Sequence, residues 1–455
     1  MTKKLEQWQD LDRKHYLHPF TDYNQLSKQG SRVFTKGEGI YIWDAEGHQV
    51  LDAMSGLWCV NLGYGRTELI EAAHQQMQEL PYYNSFFQCA HPPAIELGEI
   101  LSEIAPDGFS RVFYTGSGSE ANDTVVRLVR RFWQLQDKPD KQIIIARKNA
   151  YHGSTIAAAS LGGMEGMHTQ GAGIPIPNII HIAQPYWFQE GRDIDPNTFG
   201  IAVAEELEKA IDHHGIDKIA AFIAEPIQGA GGVIIPPETY WPAIQRICDD
   251  NEILLVADEV VTGFGRLGEW FGSTTYEIKP DLIAFAKGVT SGYLPLGGVL
   301  VNDKVADTII AKGGEFTHGF TYSGHPVSCA VAIANIKILA EDKVIDQVKN
   351  HTAPYLAKRW QSLIDHPIVG EARARGLVAA LEICKDKNTG TRFAAEQNVG
   401  SLCRDLAIEN GLVLRAVGDT MIIAPPLIIT HEQIDELITK AISTLDATAA
   451  AVQRI

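Results

Sequence analysis

From about residue 112 the chain repeats one pattern, a short apolar run followed by a longer amphipathic stretch. The runs fall at 112–114, 142–146, 179–182, 220–224, 253–257 and 282–286. Their length and their β-branched or aromatic content predict buried strands. Between most of them lie segments of helical spacing, such as 198–210 and 240–250. Strands alternating with helices predict an α/β fold with a mostly parallel sheet covered on both faces. Residues 297–301 follow Lys287 too closely for a crossover helix, so that strand is expected to be antiparallel.

The pattern differs at both ends. Strands are expected at 41–44 and 49–51 around a glycine-containing turn, then an irregular Gly- and aromatic-rich loop over 52–66 and a helix over 68–80. Past Pro326 an apolar helix over 327–339 leads into a smaller α+β region. Its expected elements are a strand at 377–383, a helix at 399–410, strands at 413–415 and 421–424, and a last helix from Thr430. These shifts divide the chain into an N-terminal segment (1–54) packing with the small domain, a large domain (55–330) and a small domain (331–455).

Composition narrows the function classes. The formal net charge of -17 over 455 residues argues against nucleic acid or an anionic membrane as partner. No apolar stretch reaches the roughly 18 residues of a membrane span. The first twenty residues mix both charge signs without an apolar signal core. Six cysteines without a CxxC pair fit free thiols, and a cytoplasmic location is expected. Fifteen histidines include no HxxxH spacing, so no metal site is expected.

Candidate chemistry gathers at strand ends. Asp258 follows the 253–257 run and Lys287 follows the 282–286 run. In open α/β sheets, ligands bind outside the carboxyl ends of the strands. Singly, such a charge is usually a helix cap or a solvated loop residue. Together they suit pyridoxal phosphate (PLP), which needs a lysine for its carbonyl and an acid for its pyridinium nitrogen. Thr115-Gly-Ser-Gly-Ser-Glu-Ala121 joins a strand to a helix. Its small residues would let backbone N–H groups and the hydroxyls of Ser117 and Ser119 hold an anion, with Ser119 also as N-cap. The same run reads G-x-G-x-x-A, a weak dinucleotide signature. With Arg147 ending the next strand, an NADP-dependent oxidoreductase stays open. Tyr151 and His152 follow that strand, placed for ring stacking, and Glu225 ends another.

The motifs TGSGSEA, NAYHGST, AEPIQG, VADEVVTGFGR, AFAKG and HGFTYSGHP resemble, in order and spacing, class III aminotransferases of PLP fold type I. The loop GLWCVNLGYGR and the segment RAVGDTMIIAPPL look like the ω-transaminase, or amine:pyruvate, branch. The resemblance implies PLP on Lys287, which also acts as base, with Asp258 at the ring nitrogen. It implies phosphate binding by Ser117, Gly118 and Ser119, joined by Thr321 of a second subunit. Tyr151 and Val260 would flank the ring, with His152 and Glu225 beside it. Phe20, Trp58 and Phe86 (the last from the neighbouring subunit) would line the substrate pocket, and Arg415 would swing in to hold an α-carboxylate. The implied reaction is ping-pong transfer from a diamine, another primary amine or an ω-amino acid to pyruvate or a similar keto acid. The implied assembly is a homodimer with shared sites, or a tetramer. Another PLP reaction, such as an aminomutase, remains an alternative. Val261, where many members have Gln, and Gly166, where some have an aromatic, depart from the pattern.

Overall fold

The computed structural model describes residues 4–171 and 173–453. Seven strands form the central sheet: β1 (Phe109–Thr115), β2 (Ile143–Arg147), β3 (Ile179–Ile182), β4 (Ile219–Ala224), β5 (Leu254–Asp258), β6 (Leu282–Phe285) and β7 (Gly297–Asn302). Their order is β1-β7-β6-β5-β4-β2-β3. β7 pairs antiparallel with both β1 and β6, while the pairs from β6 through to β3 are parallel. Each apolar run thus became a strand, and the short connection to β7 gave an antiparallel neighbour.

Both faces of the sheet are covered. Helix Gly118–Leu135 lays Ala121, Val125, Leu128, Val129 and Phe132 on one side. Helices Pro196–His214 and Tyr240–Asp250 cover the other through Phe199, Leu207, Trp241 and Ile244. Helix Pro326–Glu341 is apolar nearly all round and runs through the largest core cluster. A helix of that pattern is buried on most sides.

Two four-stranded sheets flank the large one. Phe34–Glu38, Tyr41–Asp44 and Gln49–Asp52 form an antiparallel sheet. Leu412–Val413 adds to its edge in parallel, with Leu412 opposite Leu51. The single strand expected at 413–415 is in fact two. Leu412–Val413 joins the N-terminal sheet, and Arg415–Val417 joins Val369–Arg375, Val378–Ile383 and Thr420–Ile423. The strand Val369–Arg375 and the helix Pro92–Ile104 were missing from the sequence pattern. In the strand, the charges of Glu371, Arg373 and Arg375 interrupt the apolar signal.

Two of those charges, Glu371 and Arg373, pair with each other, and Arg373 also pairs with Glu382 inside the fold. Glu382 is fully buried and lies 2.6 Å from both Arg373 Nη1 and Arg392 Nη2. It also accepts from the Tyr186 hydroxyl and, at 2.9 Å, from Thr420 Oγ1. Arg373 donates onward to the carbonyls of Val233 (2.7 Å) and Gly232 (2.6 Å), tying this sheet to a loop after β4. Burial alone would raise the Glu382 carboxyl, but the two guanidiniums more than offset it, and the net shift is downward from 4.5. Its contribution to stability is therefore present above that value and is lost as pH falls through the lower folded value. Glu382→Ala should cost about 3–5 kcal/mol in urea unfolding at neutral pH, because the half-buried Arg392 loses its carboxylate and Arg373 is left with Glu371 alone. The gap to the parent protein should narrow on acidification.

Candidate active site

β5 and β6 are neighbours, with Asp258 opposite Ala284, so Asp258 and Lys287 emerge at one edge of the sheet. Asp258 is 3% exposed. A carboxylate so deep requires donors. His152 Nδ1 (2.7 Å) and Asn122 Nδ2 (2.8 Å) meet Oδ2, and the Val260 N–H (3.1 Å) meets Oδ1. With the carboxylate accepting, His152 carries its proton on Nδ1. Its buried Nε2, and Oδ1 of Asn122, have no partner among the described residues.

Lys287 follows Ala286 in a left-handed conformation, φ 51°. Burial pushes its amine below the ordinary lysine value, Arg415 adds to that, and Cys59, Asp258 and Glu225 oppose it without reversing it. The result is a lysine with more neutral amine at neutral pH.

Glu225, just past β4, is buried, and burial raises its carboxyl. It accepts from the N–H groups of Tyr151 (3.2 Å) and Gly229 (2.8 Å), so it holds two loops that face the crevice. Arg147 is fully buried, donates to the Glu225 carbonyl at 2.5 Å, and lies under the rings of Tyr240 and Trp241. A guanidinium in that position does not reach a ribose phosphate, which removes the observation that favoured NADP.

The N-cap of helix Gly118–Leu135 is Ser117, not Ser119: Ser117 is extended, and its Oγ accepts from Glu120 N at 3.2 Å. Glu120 in turn reaches back to Gly116 N at 2.6 Å, closing the turn earlier than the sequence suggested. Ser119 Oγ instead accepts from Ser154 N at 3.0 Å, joining the helix end to the Tyr151 loop. A Cβ on Gly118 would stand only 3.0 Å from Val260 Cγ2, so the absent side chain is what lets Val260 pack directly against the helix end.

Aromatic groups meet beside this crevice. Tyr151 is half-buried, and the ring of Phe20 lies edge-on to it at 6.3 Å. Trp58 is buried, its Cζ3 3.5 Å from where a Cβ on Gly229 would stand, and Val261 packs on the same glycine. Arg415 is half-buried, and burial lowers its pKa; its charge acts on Tyr151 and Lys287. Its guanidinium has no hydrogen bond or ion pair among the described residues. Phe86 and Thr321 are brought to each other's segments, Phe86 against Gly319 and the Thr321 carbonyl accepting from Tyr82 at 2.8 Å. Thr321 is exposed, as are Phe87 and Tyr322 nearby.

Asn122 was not singled out from the sequence. A signal was present: it sits on the mostly apolar buried face of its helix, three residues before Val125. Asp44, Glu46 and His48 offer three metal-type ligand atoms within 4.8 Å of one another, but on an exposed turn where His48 already pairs with Asp44.

The family model of class-III aminotransferases matches residues 23–445. The chain is 60% identical over 449 residues to the putrescine–pyruvate aminotransferase of Pseudomonas aeruginosa, covering 99% of this chain and 98% of that one. It is 41% identical over 444 residues to a probable gamma-aminobutyrate transaminase 3 of Oryza sativa subsp. indica, covering 96% and 87% respectively. Among solved structures, an (S)-enantioselective ω-transaminase from Thermomicrobium roseum superposes with a TM-score of 0.95 at 40% identity, covering 98% of this chain and 100% of that one. An ω-transaminase from Pseudomonas jessenii in complex with PMP gives 0.95 at 40% identity, covering 98% and 99%.

Proposed function

The chain belongs to the class-III aminotransferases and uses pyridoxal phosphate, and from that premise we propose that it passes the amino group of a short diamine such as putrescine to pyruvate. The relative at 60% identity supports this donor and acceptor. The observation that carries the reading is Arg415, a half-buried guanidinium without an anionic partner among the described residues. Such a charge calls for an anion, and the carboxylate of a keto acid supplies one.

The residues present fit PLP. Asp258 is an ionisable acceptor at the crevice floor, Lys287 is an amine held toward neutrality, and Gly118 and Ser119 open a helix whose first N–H groups have no intrahelical partner. Bound there, the cofactor supplies a carbonyl that condenses with amines and a pyridinium ring that accepts the electrons left when the adjacent carbon loses a proton.

Asp258 holds a proton at the ring nitrogen, while His152 and Asn122 keep its carboxylate oriented. The N–H groups of Gly118 and Ser119, which precede the first intrahelical bond, bind the phosphate together with the Ser117 and Ser119 hydroxyls. The phenol ring of Tyr151 and the methyl groups of Val260 bracket the ring faces. The amine of Lys287 would serve as the base that takes a proton from the substrate carbon, a task for which its lowered pKa suits it. Trp58, Phe20 and Val261 exclude water and admit the methylene chain of the donor.

The same pocket must accept a donor without a carboxylate and an acceptor with one. A fixed buried Arg would face the amine unpaired, and a long side chain that swings aside avoids that cost. Gly418, in the turn that follows the strand Arg415–Val417, takes a positive φ of 55° and relaxes the chain beyond Arg415.

We also assign Thr321 and Phe86 to the site of a second copy. Phe87, Tyr83 and Tyr322 are exposed around them (89%, 50% and 65%), an apolar surface that a second copy would cover. No helix among the described residues is long and apolar enough to cross a membrane, and the six cysteines are unpaired; a cytoplasmic enzyme accords with both.

Arg415→Ala should slow the pyruvate half-reaction about 10²-fold or more, and the diamine half-reaction by less than about tenfold. Single-turnover spectra follow the two separately, and equal losses would remove the switching role. For the shared sites, mixing Lys287→Ala with Thr321→Arg chains should restore activity through heterodimers with one intact site. Heterodimers without activity would rule out sharing.

A further inference from the structure

Lys287 has a positive φ of 51°, a conformation that a residue with a side chain keeps only where its surroundings impose it. The turn it opens is gripped from outside. Asn335, fully buried on helix Pro326–Glu341, donates from Nδ2 to the carbonyls of Gly288 (2.9 Å) and Val289 (3.0 Å). The Leu62 N–H donates to Ser291 Oγ at 2.7 Å. The amide of Asn61 lies directly on Gly288: a Cβ there would stand 2.6 Å from Asn61 Nδ2. Lys287 is thus seated by a residue of the same loop that carries Trp58.

Asn61 is itself held at both ends. Its Nδ2 donates to the Phe264 carbonyl at 2.9 Å, and its Oδ1 accepts from Arg266 Nη2 at 2.9 Å. Arg266 is fully buried and has no carboxylate partner among the described residues. It donates instead to Ser55 Oγ (3.3 Å), to the carbonyl of Leu377 (3.3 Å) and to that of Pro425. Burial pushes its pKa down to about 10. A guanidinium kept in so unfavourable a place calls for a role beyond packing. The loop it grips is strained at Ser55 and Trp58, with φ of 48° and 64°. Only a planar fork can serve this loop, Asn61 and the two carbonyls together.

We propose that Arg266, acting through Asn61, is a positioning residue that sets the amine of Lys287 against the Trp58 wall of the substrate pocket. It reaches Trp58 through Ser55 and Lys287 through Asn61 and Gly288, so one buried group fixes the spacing between reacting nitrogen and pocket wall. The inference rests on Lys287 as the cofactor-bearing lysine. Borohydride reduction and peptide mapping of the parent holoenzyme test that premise separately.

The test uses holoenzyme with Asn61→Ala or Arg266→Lys, neither of which alters net charge. The visible band of the cofactor on Lys287 is titrated with pH, and melting temperature and steady-state constants are measured alongside. A lysine nitrogen released from its seat is better solvated, which favours its protonated form, so the midpoint should rise by about half a unit or more. The kcat should fall about tenfold, with the pyruvate KM within about twofold of the parent. If Arg266→Lys does not fold, Asn61→Ala decides, because it removes only the amide between Arg266 and Gly288. A lowered melting temperature with an unmoved midpoint and unmoved kcat would overturn the proposal and leave Arg266 as a fold staple.

Discussion

The structure turns on a carboxylate kept away from water. Asp258 is 3% exposed at the carboxyl end of β5, and a charge at that depth is tolerable only with donors around it. Providing them draws together elements far apart in the chain. Helix Gly118–Leu135 brings Asn122, the loop after β2 brings His152, and the backbone beyond β5 brings the Val260 N–H. The same three segments carry Ser119, Tyr151 and Val260, so satisfying one buried acid also assembles the walls of the crevice.

The parallel strands make this possible. Their carboxyl ends lie along one edge, where Glu225, Asp258 and Lys287 follow β4, β5 and β6 in turn. Field and burial then divide the roles. Glu225 and Arg147 direct their polarity to loops and backbone, while Lys287 stays near neutrality and Arg415 stays without an anion.

Much of this was legible in the chain. Apolar runs of strand length located the strands of the large sheet, most fully β2, β4, β5 and β6, because a strand buried on both faces writes its whole length in apolar residues. The hidden elements are those whose burial is of another kind. Val369–Arg375 carries Arg373, whose charge is paired with Glu382 out of solvent, and pairing across the fold leaves no local pattern. The split at Leu414 depends on two different sheets competing for adjacent residues, which no periodicity reports. Among the site residues, Asp258 and Lys287 stood out because each ends an apolar run. Asn122, Asn61 and Arg266 did not, since their importance lies in what they touch.

The central claim is that the Asp258 charge, and not only its shape, drives the chemistry. The most direct measurement is the single-turnover rate of the amine half-reaction in Asp258→Asn holoenzyme, which keeps the size of the side chain and loses the charge. The variant should retain the cofactor and react about 10²-fold or more slowly, roughly 2.7 kcal/mol in the barrier. A near-normal rate with the cofactor bound would contradict it and reduce Asp258 to a structural role.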